Sequence, residues 1–154
     1  MSQLAALTEQ EIELISELLA RLEEEQEALK NADATALPAL SEQKLKVIER
    51  LNTLESARAK VLGCQAGTDV RTAMEAWLAK HPEQQQLLGN WKKLLDLARQ
   101  AKQLHIQNGQ LISMHLQQTN EMLATLTSPA QQNTLYGSDG QASPTSGSRI
   151  VDSA

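Results

Sequence analysis

The stretch that most constrains the fold runs from Glu83 to Thr127 and contains no proline. Apolar or small residues recur along it at spacings of three and four, as one face of a helix requires. They are Leu87, Trp91, Leu94, Ala98, Ala101, Ile112, Met122 and Leu126. At the usual rise per residue, such a helix is roughly 65 Å long, too long for the interior of a compact domain of this size. The stretch therefore predicts one long helix of an elongated helical bundle.

Composition limits the class of protein. The 154 residues favour one domain, and two Trp, one Tyr and no Phe leave too few aromatic residues for a sheet core, so we predict an all-α fold. A net charge of −5 argues against nucleic acid, because phosphate binding needs a basic face. No apolar run is long enough to cross a membrane. With a single cysteine, these features indicate a cytoplasmic protein without membrane insertion.

The periodicity predicts four helices, at about 4–30, 37–62, 69–80 and 83–127, within a helical domain 1–128. The first helix is rich in Glu and the second in Lys and Arg. This complementarity favours an antiparallel coiled-coil hairpin, to which the long C-terminal helix is added. Trp77 and Trp91 are interpreted as core anchors rather than ligand-stacking residues. Residues 129–154 are rich in Ser, Gly and Thr and are predicted to be a disordered tail.

The residues of an enzyme or a metal site do not assemble in this sequence. There is no phosphate-binding glycine loop, no H-E-x-x-H and no C-x-x-C. His105 and His115 are separated by about 15 Å of helical rise, so they cannot share a metal ion. Cys64 is interpreted as a small loop residue beside Gly63 rather than a reactive thiol. We predict a protein that is not an enzyme and that holds no cofactor or metal.

The second half of the long helix is interpreted as a surface for another protein. No charged residue occurs from Gln103 to Asn120. Asn108-Gly109 lies inside this stretch, although a glycine within a helix costs roughly 1 kcal/mol relative to alanine. Chance and a kink remain alternatives, but we favour close approach of a partner or a neighbouring helix. The predicted substrate-protein-binding residues are Leu104, Asn108, Gly109, Leu111, Ile112, Met114, Leu116, Met122 and Leu123.

Three features of the sequence carry a family resemblance. The first is the layout, with a helical hairpin, a short helix bearing Trp77 and a long last helix. The second is Gln107-Asn108-Gly109, followed by Leu111 and Ile112. The third is the tail segment Thr134-Leu135-Tyr136-Gly137-Ser138-Asp139-Gly140-Gln141, with Arg149-Ile150-Val151 after it. Together these features resemble the FlgN family of flagellar type III export chaperones.

The resemblance implies a chaperone that binds the C-terminal helical segments of the hook-associated proteins FlgK and FlgL and prevents their premature assembly. It also implies delivery to the export gate protein FlhA, with Leu135, Tyr136 and Gly137 as the gate-binding residues. Tyr136 is the only tyrosine, and from composition alone it is as readily a chance residue as a docking motif. The expected assembly state is a monomer or weak homodimer. The alternative is a self-associating structural coiled-coil scaffold with no export substrate.

Overall fold

A computed structural model describes residues 2–65, 67 and 69–127. This part of the chain forms four helices and no strand, which confirms the all-α prediction and the long last helix. The helices are α1 (Gln3–Lys30), α2 (Leu37–Leu62), α3 (Val70–Ala79) and α4 (Gln85–Leu126). None of the helices described is both long and apolar enough to cross a membrane. The predicted tail and its Leu135-Tyr136-Gly137 motif lie outside the described residues.

Local sequence signals explain where the first three helices begin and end. Ser2 caps α1, since its hydroxyl accepts a hydrogen bond from the Ala5 amide at 3.2 Å. Pro38 lies in the first turn of α2, and Gly63 ends that helix in the left-handed region at φ 73°. Asp69 caps α3 by accepting from the Arg71 amide at 3.2 Å.

The long helix begins at Gln85, two residues later than the sequence predicts. Pro82 and Glu83 form a turn, and the Gln84 amide donates to the His81 carbonyl at 3.0 Å. The regular helical pattern starts only when the Leu88 amide donates to the Gln84 carbonyl, also at 3.0 Å. Pro82 therefore belongs to the connection between α3 and α4 rather than to the first turn of α4.

The chain divides into two units between Leu111 and Ile112. In the first unit, α1 and α2 form the predicted antiparallel hairpin, since Glu11 pairs with Arg58 and Glu25 with Lys44. The α4 segment of this unit runs in the same direction as α1, because Trp91 lies against Arg58 near Glu11 while Asn108 bonds to Glu25. Of the second unit, the structure describes α4 from Ile112 onward and Thr127.

All four helices contribute to the core of the first unit. Its buried members are Leu4, Ala5, Leu14, Ile15, Leu18, Leu22, Val47, Met74, Leu78, Leu87, Trp91, Leu94 and Ala101. Trp91 is 4% exposed and is the core anchor that its spacing predicts. Trp77 is half-buried against this core, and its ring stacks on the His81 ring with 3.9 Å between centroids. The short helix α3 is thereby fixed to the hairpin by Met74, Leu78 and Trp77.

Candidate functional site

Among the described residues of the second unit, five exposed apolar side chains share one face of α4. These five, here called the α4 stripe, have exposed fractions between 50% and 65%. They are Ile112, Leu116, Met122, Leu123 and Leu126. At about 100° per residue, these five side chains fall within a sector of about 120° on the helix. Apolar side chains that share one helical face usually pack against another part of the protein or against a partner. Single exposed apolar residues are common on protein surfaces and do not indicate an interface.

Within the first unit, one face of α4 is buried. Leu94, Ala101 and Asn108 are buried and are spaced by seven residues, so they project from nearly the same side of α4. The α4 segment of the first unit is thus partly core, whereas the five stripe side chains of the second unit are exposed.

The structure separates the predicted binding residues into several groups. Ile112, Leu116, Met122 and Leu123 lie on the stripe. Met114 is 50% exposed, but it projects about 140° away from the middle of the stripe. Leu104 and Leu111 are half-buried, and Leu104 packs against the core. Whether any of these residues binds a protein stays a prediction.

Asn108 and Gly109 have opposite environments. Asn108 is 1% exposed, and its side-chain amide donates to the Leu22 carbonyl at 3.0 Å and to Glu25 Oε1 at 2.9 Å. Gly109 is exposed, and a Cβ added there would meet no atom within 4 Å. No helix among the described residues makes a close approach at Gly109, so that alternative is wrong for this chain's own helices. Approach of a partner stays a prediction.

Two ion pairs cross the hairpin, and three of their four side chains are buried, which the sequence did not predict. The sequence predicts complementary charges on the two helices, but it does not show that Glu11 and Arg58 are each only 4% exposed and Glu25 only 5% exposed. Arg58 Nε donates to Glu11 Oε1 at 3.1 Å and Nη2 to Oε2 at 2.9 Å, a bidentate pair. The guanidinium lies 4.8 Å from the centre of the Trp91 ring, within cation–π range.

The environment of Glu11 raises the pKa of its carboxyl. Burial is the largest cause, because the charged form loses its solvation. The hydrogen bond and charge of Arg58 oppose this shift, and the negative charge of Glu55 adds to it. Glu25 has a different arrangement, since Oε2 accepts from Lys44 Nζ at 2.6 Å while Oε1 accepts from Asn108.

A signal for these buried charges is present in the sequence of α1. Residues 4, 8, 11, 15, 18, 22, 25 and 29 follow alternating steps of four and three, the spacing of a coiled-coil seam. All eight are buried: Leu4, Thr8, Glu11, Ile15, Leu18, Leu22, Glu25 and Leu29. Glu11 and Glu25 therefore occupy seam positions although they are charged.

The described residues contain no cluster of three or more His, Cys, Asp or Glu suited to a metal ion. An open groove of about 560 Å³ lies between α1 and α2, with Leu14 and Leu54 beside Glu13, Glu17 and Arg50. Charges of both signs line this groove. The α4 stripe therefore remains the candidate site.

Fold and surface define an all-α protein in which a helical hairpin packs against a long helix that bears an exposed apolar face. A family model described as "FlgN protein" matches residues 1–144. The chain belongs to the FlgN family. No solved structure matches it at a significant level.

Curated relatives agree with this assignment. The Flagella synthesis protein FlgN of Escherichia coli (strain K12) is 24% identical over 147 residues, 94% of each chain. The protein of the same name from Proteus mirabilis is 33% identical over 113 residues, 71% of this chain and 68% of the relative. That from Yersinia enterocolitica is 27% identical over 135 residues, 86% of this chain and 84% of the relative.

Proposed function

We propose that this protein is a chaperone in flagellum synthesis that holds helical segments of other proteins on the α4 stripe. The observation that carries the proposal is the exposure of five aliphatic or methionine side chains on one helical face. The family supports it, because its curated relatives are named flagella synthesis proteins. The proposed role is cytoplasmic and non-enzymatic.

The chemistry of the stripe suits an amphipathic helix as its ligand. Burying an apolar face between two helices supplies the driving force for such recognition. Methionine side chains adapt to imperfect partners, and Met122 is the most exposed member of the stripe, at 65%. The absence of charge from Gln103 to Asn120 leaves little electrostatic penalty for burial.

The proposed ligands are the C-terminal helical segments of FlgK and FlgL, which the protein would keep from assembling early. The proposed second contact is with the export gate protein FlhA, through Leu135, Tyr136 and Gly137. Two separate contact regions on one chain would let the substrate stay bound while the gate is engaged.

Calorimetry against the C-terminal segment of FlgK tests the proposal. Met122→Asp places a charge on the stripe and should weaken binding by at least about tenfold, because a buried unpaired charge is costly. Met114→Asp is the matched control, since it makes the same change on the same helix away from the stripe. It should bind within about twofold of the unchanged protein, the scale of a surface substitution. Equal affinities for folded Met122→Asp and Met114→Asp would contradict the stripe as the binding face.

The same exposed face is also compatible with the self-associating scaffold. Sedimentation of the protein alone separates the two candidates. A stable oligomer that Met122→Asp dissociates, together with no affinity for FlgK or FlgL, would favour the scaffold.

A further inference from the structure

Asn108 lies where three helices meet at one carboxylate. Glu25 of α1 accepts from Lys44 of α2 through one oxygen and from Asn108 of α4 through the other. Asn108 also donates to the Leu22 carbonyl of α1. Since Asn108 is buried, these hydrogen bonds are shielded from competing water.

Asparagine is not the residue that packing alone would place there. Its Oδ1 is buried without a hydrogen-bond partner among the described residues, which costs free energy. The neighbouring positions on the same face, Ala101 and Leu104, belong to the core or pack against it. An apolar residue at position 108 would continue this seam without an unsatisfied oxygen.

The apolar pattern of α4 does not by itself specify one position along α1. Because it repeats at steps of three and four, a shift by one helical turn exchanges one apolar residue for another at most contacts. Such a shift brings Leu104 or Ile112 opposite Glu25 and leaves the Glu25 carboxylate without its amide donor. A single buried asparagine fixes the register of coiled coils in this way, at a cost in stability.

We propose that Asn108 is a positioning residue that fixes the axial register of α4 on the hairpin. Asn108 is the last fully buried residue of α4, and Ile112, one turn later, is half exposed. The register therefore determines which apolar side chains of α4 stay in the seam and which stay available. This second consequence rests on the proposed function, whereas the register itself does not.

Site-directed cross-linking reads the register directly. Gln26 Nε2 of α1 donates to Gln107 Oε1 of α4 at 3.2 Å, and both residues are exposed or half-buried. In a full-length Cys64→Ser background, Gln26→Cys is combined with cysteine at position 107, 103 or 111. A short thiol-to-thiol cross-linker then traps the observed register with 107 and registers shifted by one turn with 103 or 111.

The protein with Asn108 should cross-link mainly through position 107. Asn108→Leu should raise the rate of the 103 or 111 pair relative to the 107 pair by about tenfold, the scale expected for losing one buried polar contact. Helicity and melting temperature should stay the same or rise. Asn90→Leu is the matched control on α4, and it should leave the cross-linking pattern unchanged.

An unchanged pattern in folded Asn108→Leu would overturn the proposal. Asn108→Ala loses the same hydrogen bonds without overfilling the site, so it takes the place of the leucine variant if that variant does not fold. Calorimetry with the segment used above then tests the functional consequence. Shifted cross-links with undiminished binding would refute the link to the stripe, whereas unshifted cross-links would refute the register itself.

Discussion

Glu11 shows how a single buried carboxylate makes stability depend on pH. Its pKa in the folded protein is raised above the usual 4.5, so the folded state binds this proton more tightly than the unfolded chain. The stability that this proton contributes is fully present below about pH 4.5. It is lost as the pH rises through the raised folded-state pKa.

Replacing Glu11 with Gln should remove this dependence. The free energy of unfolding of the unchanged protein, minus that of Glu11→Gln, should fall as the pH rises from about 4.5 through the raised folded-state pKa, because only the unchanged protein releases the proton. Urea unfolding at several pH values measures the difference. Glu9→Gln, an exposed change on the same helix, controls for net charge. A difference that grows with pH would mean that Arg58 outweighs burial.

Gly109 is the second residue whose effect on the free energy of unfolding can be tested. Gly109 and Gly89 both lie within α4, and a Cβ at either position meets open space. Alanine at each should therefore raise the free energy of unfolding by about 0.5–1 kcal/mol. If a partner's backbone approaches Gly109, only Gly109→Ala should weaken binding of the FlgK segment. Calorimetry measures binding by both variants, and urea unfolding measures their stability. Unchanged binding by Gly109→Ala would contradict a close approach of the partner's backbone at this position.

At the scale of the elements, the paired charges of α1 and α2 match in their spacing along the two helices as well as in their opposite signs. Glu11 and Glu25 are two heptads apart on α1, and Lys44 and Arg58 are two heptads apart on α2. The antiparallel hairpin aligns both pairs at once. A slip by one heptad would leave both carboxylates in the seam without a cation. The ion pairs therefore specify the register of α1 against α2.

Removing one member of the buried pair should be far more costly than removing both. Arg58→Leu leaves the Glu11 carboxylate buried without its cation and should cost about 3–5 kcal/mol of stability. Adding Glu11→Leu should recover most of that loss, because an apolar pair fills the same seam. Urea unfolding of the two variants measures this. Arg99→Ala breaks the exposed pair with Asp96 and should cost well under 1 kcal/mol. A double variant no more stable than Arg58→Leu would contradict the argument.

The elements themselves were largely predictable, because helical periodicity, capping residues and glycines are local signals. Leu4, Ile15 and Trp91 show the apolar spacing that places them in the core. The buried roles of Glu11 and Asn108 were not predicted. The sequence alone does not show whether a polar residue on an apolar helical face is solvated or is paired with another buried group. The spacing of Glu11 and Glu25 within the seam carries that information, but their partners lie 47 and 19 residues away along the chain.

Only the structure shows which residues lie on which face of α4. Met114 and Met122 are both methionines in the second half of α4, and they can be assigned to a binding face or to another face only once the stripe is identified. Leu104 belongs to the seam of the first unit, whereas Ile112 is half exposed, although both are aliphatic residues of the same uncharged stretch. What decides between them is where the other helices lie, which periodicity does not encode.

At the scale of the whole molecule, the proposed function assigns two tasks to two regions of the chain. Tyr136→Ala should leave affinity for the FlgK segment unchanged within about twofold, since a substitution outside the binding face has little effect. It should reduce binding to the cytoplasmic part of FlhA. Calorimetry with each partner measures both affinities, and deletion of 128–154 serves as the complete loss of the tail. A lower FlgK affinity for Tyr136→Ala would contradict the division of tasks.

The carboxylate of Glu25 also has a consequence for how such a sequence can change over time. Because it accepts from Lys44 of α2 and from Asn108 of α4, substituting Glu25 alone removes the acceptor of both side chains at once. Substituting all three by apolar residues avoids that penalty. The three positions are thus expected to show epistasis, because the effect of substituting Glu25 depends on whether Lys44 and Asn108 are still present. The chain can then keep a costly polar junction long after a simpler apolar one would be equally stable.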